Sequence, residues 1–322
     1  MDDLRSAGAG THFAAAWSDG KRVWRQLLAT DLIFKLLAFA VLTPLVGLAL
    51  KAGVAASGSA VLADMDILLF LLRPVGLLLL VGVAALSIAI VALELACLMA
   101  IGVGATAGVR VDAGQAVRFA LGQARPVIGL AVRVVARSLL LAAPFLLGLG
   151  LVYLGLLRDF DINYYLKEKP PAFLAAVGLV LVLVIGLAAV LVPRLVSWSL
   201  ALPVVLFEDV PPRRALAESA RRTAGERRRI LRVLLVWGGA SFLLASVVPA
   251  AIFGLGRLAA PYGLGNVGWV LGFMLALLAT WVLTNLLISW CNASAFALLI
   301  VQIYRRLGGP GSGIRSRLAA AE

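Results

Sequence analysis

The chain has 322 residues, of which 62% are hydrophobic and only 14% charged, with a formal net charge of +13 and a mean hydropathy of +1.03. A soluble domain is nearer half apolar and a quarter charged, so a chain this apolar needs a bilayer to cover the surface its polar groups cannot. Disordered, secreted and ordinary cytosolic architectures are excluded. One histidine, His12, and two cysteines in apolar runs, Cys97 and Cys291, leave no disulfide framework and no metal-ligand spacing, so neither metal nor cofactor is implied.

In chain order, Asp2, Asp3 and Arg5 precede a polar stretch without a cleavable apolar run, so the first 29 residues do not read as a signal peptide. Phe13, Trp17, Trp24 and Leu28 fall near one helical face, with Lys21, Arg22 and Arg25 off it. That pattern predicts an interfacial helix within residues 1–29. Six apolar segments then exceed the roughly 20 residues that cross about 30 Å of hydrocarbon: 30–50, 74–104, 126–157, 172–207, 229–255 and 267–304. The expected fold class is therefore an all-α integral membrane domain over 30–307. A Gly-rich tail over 308–322 reads as a flexible linker. Three spans are longer than the membrane requires, and either tilt or project beyond it. Pro193 and Pro203 give the fourth a reason to kink, since each removes a backbone donor. The stretch Arg213–Arg232, opened by Pro211 and Pro212, reads as a basic helix between spans four and five.

Charge placement predicts the orientation. The N-terminal segment, the loops after spans two and four, and the tail together hold nineteen of the 29 basic residues. The alternate loops carry only Lys51, Arg73, Arg158, Lys167, Lys169 and Arg257. By the positive-inside bias both termini face the cytoplasm. The basic helix then sits beside anionic headgroups of membrane phospholipids. No base-stacking aromatic accompanies its charge, which argues against a nucleic-acid partner. Gly263 to Gly268 spells a dinucleotide fingerprint, but no strand precedes it and the match is discarded.

Ionisable side chains inside a span are expensive and call for a partner or a purpose. Glu94 in span two, Arg133 and Arg137 in span three, Arg194 in span four and Asn292 in span six fall at comparable depth from the cytoplasmic side. In a structural reading, Glu94 pairs with an arginine and Asn292 satisfies leftover donors. In a functional one, Arg133, Arg137 and Arg194 outnumber the single carboxylate, and their guanidinium forks hold a phosphate or lipid headgroup. A proton or ion relay is a third.

The loop after span three reads Asp161-Ile162-Asn163-Tyr164-Tyr165-Leu166-Lys167-Glu168-Lys169-Pro170-Pro171. Its tyrosines suit the headgroup level and its prolines the first turn of a helix. The string also resembles the outer-loop motif of the membrane domain fused to bacterial glycerophosphodiester phosphodiesterases. Arg194, Trp198, Ala201, Leu202, Pro203, Glu208, Ala215, Leu216 and Ser219 are similar to that family's second pattern. Family relatives of unknown function share the second one. The resemblance implies an inner-membrane protein of a bacterium. It implies also that glycerophosphodiester hydrolysis belongs to a separate TIM-barrel domain with a His-Arg-Gly-type motif, acidic metal ligands and a second histidine. His12, in Thr11-His12-Phe13, has no such context, so no catalytic residue is carried over. The chain is expected to be a free-standing or truncated membrane half. Its expected role is to anchor, and to present lipid-derived phosphodiesters to, a cytoplasmic phosphodiesterase. A transporter or lipid-translocating protein, and a scaffold of a cell-envelope complex, are the alternatives.

Overall fold

A computed structural model describes residues 9–57, 74–158, 162–259, 261 and 267–309. Arg5, Arg73, Asp161, the sequence Gly263 to Asn266 and the tail from Pro310 onward lie outside the described residues. The described chain forms ten α-helices and no strand. Helix α1 runs Ala9–Ser57, α2 Pro74–Thr106, α3 Ala113–Gly122 and α4 Ala124–Val152, the last closing on a π-turn at Tyr153–Leu157. They are followed by α5 Ile162–Glu168, α6 Pro171–Trp198, α7 Ala201–Glu208, α8 Pro212–Thr223, α9 Arg227–Ala259 and α10 Val267–Arg306. Six helical stretches among the described residues are long and apolar enough to cross a membrane, five containing an expected span and the first, Phe13–Leu48, covering all but the last two residues of 30–50.

Three junctions depart from the sequence expectation, each for a local reason. The N-terminal segment is continuous with the first span, and the two helices meet at Val23, whose backbone leaves helical geometry at φ −123°, ψ 19°. Span four does not break at Pro193, which lies inside α6. It breaks at Ser199–Leu200, where the ring of Pro203 would otherwise meet the carbonyl of the residue four positions earlier. The basic stretch Arg213–Arg232 is not one helix. α8 ends at Thr223, the chain turns through Ala224, Gly225 and Glu226, and Arg227 to Arg232 form the first turns of span five. Glycine in that turn is a poor helix former. Thr223 hydroxyl, meanwhile, bonds back to the Ser219 carbonyl at 2.9 Å.

Burial is segregated along the helix axes. The most apolar 18-residue window of each spanning helix is between 0% and 12% buried, and side chains such as Leu140, Val182, Phe242 and Leu271 stand exposed on it. Inside water those faces would be untenable, so they are lipid-facing. The packed core lies instead at the basic end. It is built from the buried residues between Ala96 and Ala105, Phe119, Ala120, Val127, Leu130, those between Val196 and Phe207, the Ala215, Leu216, Ser219 and Thr223 face, Ile230, Val233 and those between Ala297 and Tyr304. Helix length accounts for this: the 40 residues of α10 make about 60 Å of helix against about 30 Å of hydrocarbon. The surplus turns, joined by α3, α7 and α8, form a helical base below the spans. A capping box starts α3, with Asp112 accepting from the Gly114 amide and Gln115 accepting from the Asp112 amide.

Candidate functional site

The helix break after Trp198 organises the base. It frees the Leu200 amide, which donates to Ser219 Oγ at 3.2 Å, and the same hydroxyl donates to the Ser197 carbonyl at 2.7 Å. Ser219 is fully buried, so both bonds form away from water and satisfy a helix end that would otherwise be orphaned. On the next helix edge Arg222 places both terminal nitrogens on Glu208, each at 2.7 Å, and its Nε on Glu218 at 2.8 Å. Tyr304, entirely buried near the end of α10, donates its hydroxyl to Glu208 at 2.7 Å. Helices α7, α8 and α10 are thereby joined through one carboxylate. Hydrogen bonds from Arg221 and Arg222 hold the Glu218 carboxyl below its ordinary range. The second motif of the sequence, Arg194 through Ser219, is in large part the architecture of this junction: Ala201, Pro203, Ala215, Leu216 and Ser219 are buried in it.

The opposite end carries the other motif. Tyr165 is buried and stacks on Phe173 with centroids 5.9 Å apart. Its hydroxyl donates to the Leu156 carbonyl in the π-turn at 3.3 Å. Tyr164 meets Tyr165 edge-on and stays exposed. Pro170 caps α6 and Pro171 begins it, while Lys169 takes a left-handed φ of 45° at the turn. Asp161 and the Asn163 side chain lie outside the described residues.

The five intramembrane residues matched by depth divide into three neighbourhoods. Arg133, Arg137 and Arg194 belong to the α4/α6 pair. Leu183 closes on Gly148, and Phe145 on Gly186, in a single antiparallel register. Counted eleven residues toward the basic end on each helix, about three turns, that register puts Arg137 and Arg194 at the same level along the pair. Arg133 lies one turn further on and donates to the Gly129 carbonyl of its own helix at 2.7 Å. Arg137 and Arg194 are exposed. Among the described residues no carboxylate forms an ion pair with any of the three. Asn292 is elsewhere, accepting from the Ser241 hydroxyl at 2.5 Å and so tying α10 to α9.

Among the described residues Glu94 forms no ion pair with an arginine. Its charged neighbours are Asp31 and Lys35 of α1. Asp31, which is 2% exposed, forms an i,i+4 ion pair with Lys35, and Cys291 on α10 lies within the field of the same carboxylate. Sequence reasoning missed Asp31 and Lys35, although the rule that flagged Glu94 applies to them equally: two ionisable groups one turn apart at the start of a span. Two carboxyl groups and one ammonium therefore gather where α1, α2 and α10 meet, apart from the arginines of α4 and α6.

The family model described as the membrane domain of glycerophosphoryl diester phosphodiesterase matches residues 18–306. No curated protein and no solved structure matches the chain. The matched region runs from just before the Val23 kink to the last residue of α10, taking in all six spans and the whole base. The chain belongs to the family of membrane domains of glycerophosphoryl diester phosphodiesterases.

Proposed function

We propose that this multi-pass domain anchors a glycerophosphodiester phosphodiesterase at the inner membrane of a bacterium, with both termini in the cytoplasm. We propose further that it presents lipid-derived glycerophosphodiesters to that enzyme. One observation carries the second part: Arg133, Arg137 and Arg194, on the paired helices α4 and α6, form no ion pair with a carboxylate among the described residues. Guanidiniums without a carboxylate in a spanning pair are stabilised by anionic groups that reach them, and their planar forks match phosphate oxygens. Membrane phospholipids and phosphodiesters derived from them carry that group at the right depth. The anchoring part rests on the family, on six lipid-facing spans, and on a folded base at the basic end against which a soluble enzyme can sit.

Native mass spectrometry of the detergent-purified chain beside Arg137→Ala and Arg194→Ala variants tests this reading. The parent is expected to retain a phosphate-bearing lipid that both variants lose while keeping their helical circular dichroism. Equal retention by parent and variants would make the arginines purely structural, leaving anchoring alone.

A further inference from the structure

A cavity lined by none of the three arginines lies between the N-terminal half of α1 and α10. It has a volume of about 490 Å³, and its wall includes Trp17, Lys21, Trp24, Trp290, Cys291 and Ser294. Its shape follows from how α1 is held. Toward the basic end α1 is fastened to α10 by the Gln302 amide, which donates to Asp19 at 2.6 Å. Gly20 there lets the helices approach so closely that an added Cβ would lie 3.2 Å from Leu298. The helix kinks at Val23, and the cavity wall takes residues of α1 from both sides of that kink, Trp17 and Lys21 before it and Trp24 and Leu27 after it.

The wall is chemically uneven. Most of it is aromatic and aliphatic, but two buried polar groups of its residues, Ser294 Oγ and Trp290 Nε1, have no hydrogen-bond partner among the described residues. The Ser294 residue is 6% exposed. Buried donors of this kind are almost always satisfied, so these two leave hydrogen-bonding capacity beside the cavity that a polar ligand atom can use. At the rim Lys21 is exposed, with its ammonium 5.1 Å above the Trp17 ring, and Arg25 sits over Trp24. Tryptophan with lysine and arginine at a helix entrance is the signature of the headgroup layer. A slot of this size is also within the range that encloses a small amphipathic molecule.

We propose that this groove is a binding site for one phospholipid of the leaflet at the basic end. Its acyl chain lies along Leu27 and Trp290, its ester oxygens face Ser294 and the Trp290 indole, and its phosphate meets Lys21. The site is independent of the arginine column and stands whether or not that column binds phosphodiesters.

Cys291 offers a direct probe, because it is exposed in the groove wall whereas Cys97 is fully buried. The full chain is delipidated in detergent and treated with a maleimide, with and without added phosphatidylglycerol. Phosphatidylglycerol is expected to slow Cys291 labelling several-fold, while inorganic phosphate and diacylglycerol at the same concentration leave it unchanged. Lys21→Ala should lose most of the protection, and Arg137→Ala should keep all of it. Equal protection by free phosphate or by diacylglycerol overturns the proposal, and so does no protection by any of the three. Ala295→Phe, which fills the slot, gives a second readout by native mass spectrometry. Loss of one bound phospholipid per chain is expected, and unchanged lipid stoichiometry in a variant with parental helicity overturns the proposal.

Discussion

Replacing Arg222 with alanine removes three charge-assisted hydrogen bonds at once and leaves Glu208 facing the Tyr304 hydroxyl alone. Breaking a buried ion pair costs roughly 3–5 kcal/mol. The Arg222 and Glu208 side chains keep 19% and 13% of their exposure, so solvent screening reduces the expectation to about 2–3 kcal/mol. Thermal unfolding of the detergent-solubilised Arg222→Ala variant should show that loss, and an unchanged midpoint would mean the network is idle. The same residues set an acid limit. Glu218 has a folded pKa below its ordinary 4.5, so its contribution is fully present above that value. It disappears as pH falls through the lower folded pKa. A stability–pH curve should therefore decline on the acid side of 4.5, and Glu218→Gln should flatten that part of the decline. Asp31 and Lys35 carry the residue-scale lesson from the sequence. Both are plainly ionisable in an apolar run, yet their link to Glu94 depends on α1 packing against α2, which no spacing along one helix encodes.

At the scale of elements, the six spans were legible because 20 or more apolar residues in a row have one physical solution. The junctions between them were less so. Pro193 and Pro203 read alike in sequence, but only Pro203 coincides with a break. There the freed Leu200 amide has Ser219 waiting for it, whereas Pro193 stays within α6 among the lipid-facing turns. A proline's local cost is the same in both places, and a tertiary acceptor decides whether the chain takes the bend. The Ala215-Leu216-Ser219-Thr223 face of α8 is buried at helical spacing. The signal lay in the sequence, beneath an arginine count that made the segment look like surface. Close packing at α2 gives a sharp test: an added Cβ at Gly104 would lie 2.4 Å from Val111 and 3.1 Å from the Val109 carbonyl. Because backbone supplies one of those contacts, Gly104→Ala should cost about 1–3 kcal/mol. A thermal midpoint equal to the parent's would show that the α2–α3 connection yields freely.

For the whole molecule, the division between bare spans and a packed base gives the fold its polarity, and charge says which way it points. The basic end carries Arg213, Arg214, Arg221, Arg227 and Arg228, while the far end holds Lys167 and Arg257. Orientation with the base in the cytoplasm is expected on that asymmetry. In a Cys291→Ser background, Asp209→Cys should react with a membrane-impermeant maleimide only after permeabilisation, and Lys167→Cys should react in intact spheroplasts. The opposite pattern would invert the orientation and detach the base from any cytoplasmic enzyme.

Sequence alone determined that this chain spans a membrane, how many times, and which family its two motifs resemble. Each of those depends on composition over tens of residues, where the hydrophobic demand of a bilayer leaves little choice. Tertiary structure decided where the motif residues pack and where the charges meet. Helix length beyond the bilayer could be read as tilt or as projection until burial placed the surplus turns in a common base. Equal depth could be read as one polar cluster until packing separated the arginine column from the acidic group around Asp31. Depth fixes one coordinate of a side chain, and only the packing of helices around one another fixes the other two.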